Sequence, residues 1–120
     1  MKKMILIIDN NASARASLEE AVSYEGYYVQ TAASGQEGIE RAKEACPDAV
    51  ILEARMTEMS GVKTMKELHR INPKLPVVML TRGGTLYSAI AAIKAGAYDY
   101  IVKPPELARL MLALKEAVGI

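Results

Sequence analysis

Five short apolar runs alternate along the chain with longer stretches in which apolar residues recur at helical spacing. The runs are Met4 to Ile8, Tyr27 to Ala32, Ala49 to Leu52, Pro76 to Leu80 and Tyr98 to Val102, rich in Val, Ile, Leu and Tyr. Near-continuous apolarity over so few residues predicts strands buried on both faces, and such strands need a parallel sheet covered by helices on both sides. The helical stretches carry their own end signals. Asn11 suits the cap of the first helix, and Gly26 follows its last turn. Ser34 with Glu37 forms a capping box for the second, which Pro47 stops. Ser60 caps the third, ended before Pro73; Thr85 caps the fourth, which runs into Gly96; Pro105 suits the first position of the fifth.

Right-handed crossovers turn this alternation into an α/β fold, a doubly wound five-stranded parallel sheet, (βα)5, with the flavodoxin-like order 2-1-3-4-5. The expected domain covers residues 1–120, because 120 residues suit one domain and leave no room for a second of ordinary size. Charge narrows the functional classes. With 15 basic against 14 acidic residues, nothing steers the chain toward nucleic acid or an anionic membrane, so no direct nucleic-acid role is expected. The first apolar run is interrupted by Asp9, too soon for a signal peptide or a membrane span, and cytoplasmic residence follows. The lone Cys46 has no partner for a disulfide or a metal and is expected to be a half-buried thiol beside a turn.

In parallel sheets of this kind ligands bind at the carboxyl ends of the strands, near the switch between strands 1 and 3. The first polar residues after four of the runs are Asp9, Glu53, Thr81 and Lys103. Two acids, a hydroxyl and an ammonium group on one rim suit Mg²⁺ together with a phosphoryl group, the carboxylates giving hard oxygen ligands and the other two holding phosphoryl oxygens.

The run ILIIDN resembles the first-strand signature of the two-component response regulator receiver family, the CheY-like domains, and LEARMTEMSG resembles its phosphoacceptor segment. Thr81 stands where the family keeps a switch threonine or serine, and AGAYDYIVKP resembles the end of its fifth strand. The resemblance covers essentially the whole chain. It implies a bacterial phosphorelay module, not an enzyme in its own right, in which an aspartate takes a phosphoryl group from a sensor histidine kinase with Mg²⁺ bridging acid and phosphate. Carried over residue by residue, Glu53 is the phosphoacceptor position. The metal set is Asp9, Asn10, Glu53 and the backbone carbonyl of Arg55. Thr81, Lys103 and Tyr100 take the switch, phosphate-lysine and aromatic roles.

The chain departs from that pattern inside the pocket. Glu53 replaces aspartate, Asn10 replaces the second acid, Thr57 stands where proline is usual, and Arg82 follows Thr81 where a small residue is usual. The extra methylene carries the Glu53 carboxylate about 1.5 Å further into the path of an incoming phosphoryl group. A misplacement near 1 Å costs on the order of a hundredfold in rate, so ordinary phosphotransfer is not expected. The missing acid at Asn10 lowers the expected hold on Mg²⁺, to weak binding or none. Glu53 also suggests a built-in, partial imitation of the phosphorylated state, facing Thr81 and Lys103. Arg82 either pairs with Glu53 or Asp9 across the pocket or points into solvent.

The fourth and fifth helices carry more apolar residues than one buried stripe needs: Leu86, Tyr87, Ile90, Ala91 and Ile93, then Leu107, Leu110, Met111, Leu112 and Leu114. With Tyr98 and Tyr100 they mark the helix 4, strand 5, helix 5 face as the expected contact for a kinase, an output domain or protein, or a second copy of the chain. His69, among charged neighbours, is expected to face solvent. The leading reading is therefore a protein-binding regulatory module with phosphorylation lost or mimicked by Glu53. The alternatives are a working phosphoacceptor receiver with an engineered Asp-to-Glu change or another acceptor site, and, ranked low, a flavodoxin-like nucleotide or flavin binder. NNASARAS after the first strand lacks the glycines that let a backbone approach a phosphate.

Overall fold

Residues Met4–Ile8 form β1, a strand buried along most of its length because successive side chains enter two different helix layers. In the computed structural model, which describes residues 2–119, β1 is followed by α1 (Ala12–Tyr24), β2 (Tyr28–Ala32), α2 (Gly35–Ala45), β3 (Ala49–Glu53) and α3 (Gly61–Ile71). Then come β4 (Val77–Arg82), α4 (Leu86–Lys94), β5 (Asp99–Lys103) and α5 (Leu107–Ala117). All strands are parallel, in the order β2-β1-β3-β4-β5. This is the doubly wound architecture that the alternation of apolar runs and helices predicts.

Period-two alternation divides the core. Ile5 and Ile7 of β1, Ile51 of β3 and Leu80 of β4 meet Leu18 and Val22 of α1 and Leu110 and Leu114 of α5. Leu6, Ile8, Leu52 and Met79 face the opposite way, toward Ile39 of α2, Met65 and Leu68 of α3 and Ala92 of α4. Each large aliphatic chain buried this fully contributes on the order of 1.5–3 kcal/mol, so the central strands form a firm base for the residues at their ends.

The strands run further than their apolar runs. Glu53 pairs with Leu80, Thr81 with Val102 and Arg82 with Lys103, so the polar residues expected just beyond β3, β4 and β5 lie inside the ladder. Backbone pairing ignores side-chain polarity, whereas the apolar run stops where side chains meet the rim. At the other ends, β2 starts at Tyr28, β4 at Val77 and β5 at Asp99. Pro76 has no N–H for the ladder, and its carbonyl accepts from Val50 N–H at 3.0 Å.

Asn11, Ser34, Ser60 and Thr85 all cap as expected, accepting from the N–H groups of Ala14, Glu37, Lys63 and Ser88. The return bond of the expected box at Ser34 is displaced: Glu37 Oε1 accepts from Ala33 N–H, at 2.7 Å, in place of Ser34 N–H. Pro105 is not the first residue of α5, since the chain stays extended through Glu106 (ψ 124°) and the helix begins at Leu107. Gly26 (φ 101°) and Gly96 (φ 116°) supply the left-handed turns after α1 and α4. Cys46 takes the same role after α2 with φ 48°, and this cap position leaves it exposed, against the half-buried thiol expected. His69 also differs from expectation. It is half-buried against Gly96, with Nε2 2.9 Å from the Leu75 carbonyl, so it ties the end of α3 to the turn before β4.

Candidate functional site

Parallel strands bring their carboxyl ends to one edge, and the residues there are charged yet buried: Asp9 is 2 % exposed, Glu53 6 % and Thr81 1 %. Lys103, arriving from β5, joins the two acids. Its Nζ lies 2.5 Å from Asp9 Oδ2 and 2.7 Å from Glu53 Oε1. The remaining carboxylate oxygens take backbone donors: Asn11 N–H to Asp9 Oδ1 at 2.9 Å and Arg55 N–H to Glu53 Oε2 at 2.8 Å. All four oxygens of the two acids are therefore hydrogen-bonded, the condition for keeping such charges out of water. Burial alone would lower the Lys103 pKa. The hydrogen bonds and charges of Asp9 and Glu53 outweigh it, and the pKa is raised above its ordinary 10.5.

The loops that complete the rim are fixed by close backbone approaches. Arg15 Nη1 donates to the Asp9 carbonyl at 2.8 Å, tying α1 to the end of β1. Gly61 N–H donates to the Ala54 carbonyl at 3.0 Å, and a Cβ at Gly61 would lie 2.6 Å from Ala54 Cα and 2.7 Å from the Glu53 carbonyl oxygen. Only glycine lets α3 start this close to the strand that carries Glu53.

Of the residues singled out in the sequence, Asp9, Asn10, Glu53, Arg55, Arg82 and Lys103 line one cavity of about 180 Å³, together with Asn11. Asn10 is exposed at its mouth. Arg82 is exposed as well, and among the ion pairs of the described residues it is joined to neither Glu53 nor Asp9. Thr81 and Tyr100 lie outside that lining. Tyr100 packs against the layer under α4, with its hydroxyl 2.7 Å from Ser88 Oγ. A larger apolar groove of about 450 Å³ adjoins the cavity between α1 and the start of α5, with Arg82 and Lys103 on both linings.

Hard oxygen donors of the kind Mg²⁺ prefers are present in Asp9, Glu53, Asn10 and the Arg55 carbonyl. Two carboxylates with waters can hold Mg²⁺, but in this arrangement the ion meets competition. Lys103 bridges the two carboxylates, every carboxylate oxygen already accepts an N–H, and the described residues contain no metal-holding group of three or more His, Cys, Asp or Glu. A cation would have to displace the ammonium first.

Sequence reasoning missed several contributors. Asn11 was legible as a helix cap, but its N–H also serves Asp9. Gly84 and Ser88, which meet Tyr100, carried no signal of that contact in the sequence.

The rim, the strand order and the buried acid–lysine cluster define the class, and comparison with known proteins agrees. The family described as response regulator receiver domain matches residues 5–115, and the chain belongs to it. It is 38 % identical over 117 residues to the chemotaxis protein CheY of Thermotoga maritima, covering 97 % of this chain and 98 % of that one. It is 36 % identical over 115 residues to the transcriptional regulatory protein ZraR of Klebsiella oxytoca, covering 96 % of this chain but 26 % of that protein. The chain thus spans about a quarter of the length of that regulator. A crystal structure of a putative response regulator from Chloroflexus aurantiacus superposes with a TM-score of 0.94 at 30 % identity, each chain covered over 100 %. A receiver domain protein from Clostridium thermocellum gives 0.93 at 33 %, covering 98 % of this chain and 94 % of that one.

The chain is a receiver domain of the two-component response regulator family, whose members signal through phosphorylation-dependent interaction. The flavin- or nucleotide-binding alternative is not favoured. Receiver domains are generally non-enzymatic, typically bind Mg²⁺ at the phosphorylation site, and interact with histidine kinases and output domains. No helix among the described residues is long and apolar enough to cross a membrane.

Proposed function

We propose that this receiver has lost ordinary phosphotransfer at Glu53 and signals by protein binding from a pocket closed by its own lysine. The observation that carries this reading is the bridge from Lys103 to both Asp9 and Glu53. The ammonium occupies the carboxylate oxygens that an incoming phosphoryl group and its metal need, and the longer Glu53 side chain crowds the line of attack. Glu53 thereby imitates the phosphorylated state in part. It offers one charge and two oxygens to Lys103, where a phosphoryl group offers up to two charges and three oxygens.

In this reading Asp9, Asn10, Glu53 and the Arg55 carbonyl hold Mg²⁺ weakly, in competition with Lys103. Thr81 keeps the switch position, Tyr100 the aromatic position, and Arg82 screens the mouth. Output goes through α4, β5 and α5, where Leu86, Tyr87, Ile90, Ile93 and Val102 are exposed, to a kinase, an output domain or a second copy of this chain. A bacterial cytoplasm is the setting in which such partners meet.

The test is incubation with a small acyl phosphate and Mg²⁺, followed by intact-mass measurement. The native chain is expected to gain no stable phosphoryl adduct, and Glu53→Asp to label slowly because Asn10 still weakens the metal site. A stoichiometric adduct mapped to Glu53 would overturn the reading.

A further inference from the structure

Tyr100 is held by groups that are not part of the acid–lysine pocket. Its hydroxyl is 2.7 Å from Ser88 Oγ, and Ser88 is the residue whose side chain completes the cap of α4. Ser88 Oγ lies 2.9 Å from Thr85 N, 2.9 Å from the Thr85 carbonyl oxygen and 3.3 Å from Thr85 Oγ1. A hydroxyl has one proton and two lone pairs. The assignment that uses the three shortest contacts sends the Ser88 proton to the Thr85 carbonyl and gives the lone pairs to Thr85 N–H and Tyr100 O–H. Tyr100 is then the donor, and Ser88 is saturated. The ring itself lies against Gly84. A Cβ there would collide with the Tyr100 hydroxyl and sit 2.9 Å from Cε1 and Cζ. Gly84 is not in a left-handed conformation, so its lack of a side chain matters here for the space it leaves and not for backbone freedom.

We propose that Ser88 and Gly84 are positioning residues that hold Tyr100 against α4, so that the strand-5 aromatic and the first turn of α4 move as one unit, independently of the charge on Glu53. The inference rests on the reading of α4, β5 and α5 as the output face. It assigns control of that face to a hydrogen bond within it. Removing the Tyr100 hydroxyl touches no atom of the cap, yet it takes away a contact that fixes the Ser88 side-chain rotamer, so that Ser88 Oγ leaves Thr85 N–H more often. Placing a methyl group at Gly84 evicts the ring by volume and leaves every cap group in place.

The test uses the full chain labelled with 3-fluorotyrosine, the Tyr100 ¹⁹F resonance being assigned by its loss in Tyr100→Phe. Amide exchange at Thr85 is followed in unlabelled protein. Ser88→Ala and Gly84→Ala are each expected to move the Tyr100 resonance to the position of an exposed tyrosine such as Tyr87. Glu53→Gln should leave it in place. Tyr100→Phe is expected to speed Thr85 exchange by roughly fivefold, the factor a typical intramolecular hydrogen bond supplies. A Tyr100 resonance unmoved in both Ser88→Ala and Gly84→Ala overturns the proposal, as does a move in Glu53→Gln equal to that in Ser88→Ala. Unchanged Thr85 exchange in Tyr100→Phe overturns the coupling. None of these readouts depends on phosphorylation, so a phosphoryl adduct at Glu53 would sink the functional reading and leave this result standing.

Discussion

Strand β5 supplies residues to two regions that treat charge and apolarity in opposite ways. At the rim its Lys103 side chain is 9 % exposed, between the equally hidden Asp9 and Glu53. On the neighbouring face its Val102 is 50 % exposed, beside α4, of which only Ala92 is buried. Charges are thus taken inside and large apolar groups left in water. The rim is stable because each carboxylate oxygen has a donor, which offsets desolvation only while the set is complete. The face has no such closure. An apolar patch held out in solvent retains its hydrophobic free energy for a partner.

Breaking the rim should have the largest effect. Lys103→Met leaves two buried carboxylates facing each other and is expected to cost roughly 3 kcal/mol at neutral pH, read from urea unfolding. The pH dependence has a definite sign. Because the folded-state pKa of Lys103 is raised above 10.5, its contribution is fully present below that value and is lost as pH climbs through the raised one. The gap between native chain and variant should therefore close in strongly alkaline buffer, and a gap that stays constant there would assign the loss to packing.

Gly61→Ala comes next, at about 2 kcal/mol, because the new methyl group meets the backbone of Ala54 and Glu53, which cannot turn aside as a side chain can. A neutral result would show that the start of α3 is free to shift. Thr85→Ala removes the α4 cap and should cost about 1 kcal/mol by thermal or urea unfolding. The smallest effect on stability belongs to the exposed face. Leu86→Ser with Ile90→Ser should change unfolding by less than about 0.5 kcal/mol each while weakening self-association or partner capture. Equal losses from face and rim would remove the distinction between the two regions.

Much of this was legible in the chain itself. Central parallel strands are buried on both faces, so β1, β3 and β4 show as unbroken apolar runs. The polar residues that follow these runs and that of β5 must share an edge, which places Asp9, Glu53, Thr81 and Lys103 together from the sequence. What escaped depends on turns. The inward rotation of His69 follows from the path of residues 72–76, and the bond from Tyr100 to Ser88 from the Gly83 and Gly84 loop. The late start of α5 follows from the extended backbone at Glu106. Helical and strand periods carry no information about such loop geometry.

The order of the strands has one further consequence, for how copies of this protein can join. The sheet ends at β2 and β5, whose outer backbone groups could template an additional strand. At β2 the Lys2 ammonium stands 4.9 Å from the centre of the Tyr28 ring, a cation–π contact at the start of that strand. At β5 the strand runs straight into Pro104 and Pro105, which offer no N–H to a newcomer. A newcomer strand would meet a charged group at the start of β2 and proline just after β5. The helical faces present no such obstacle.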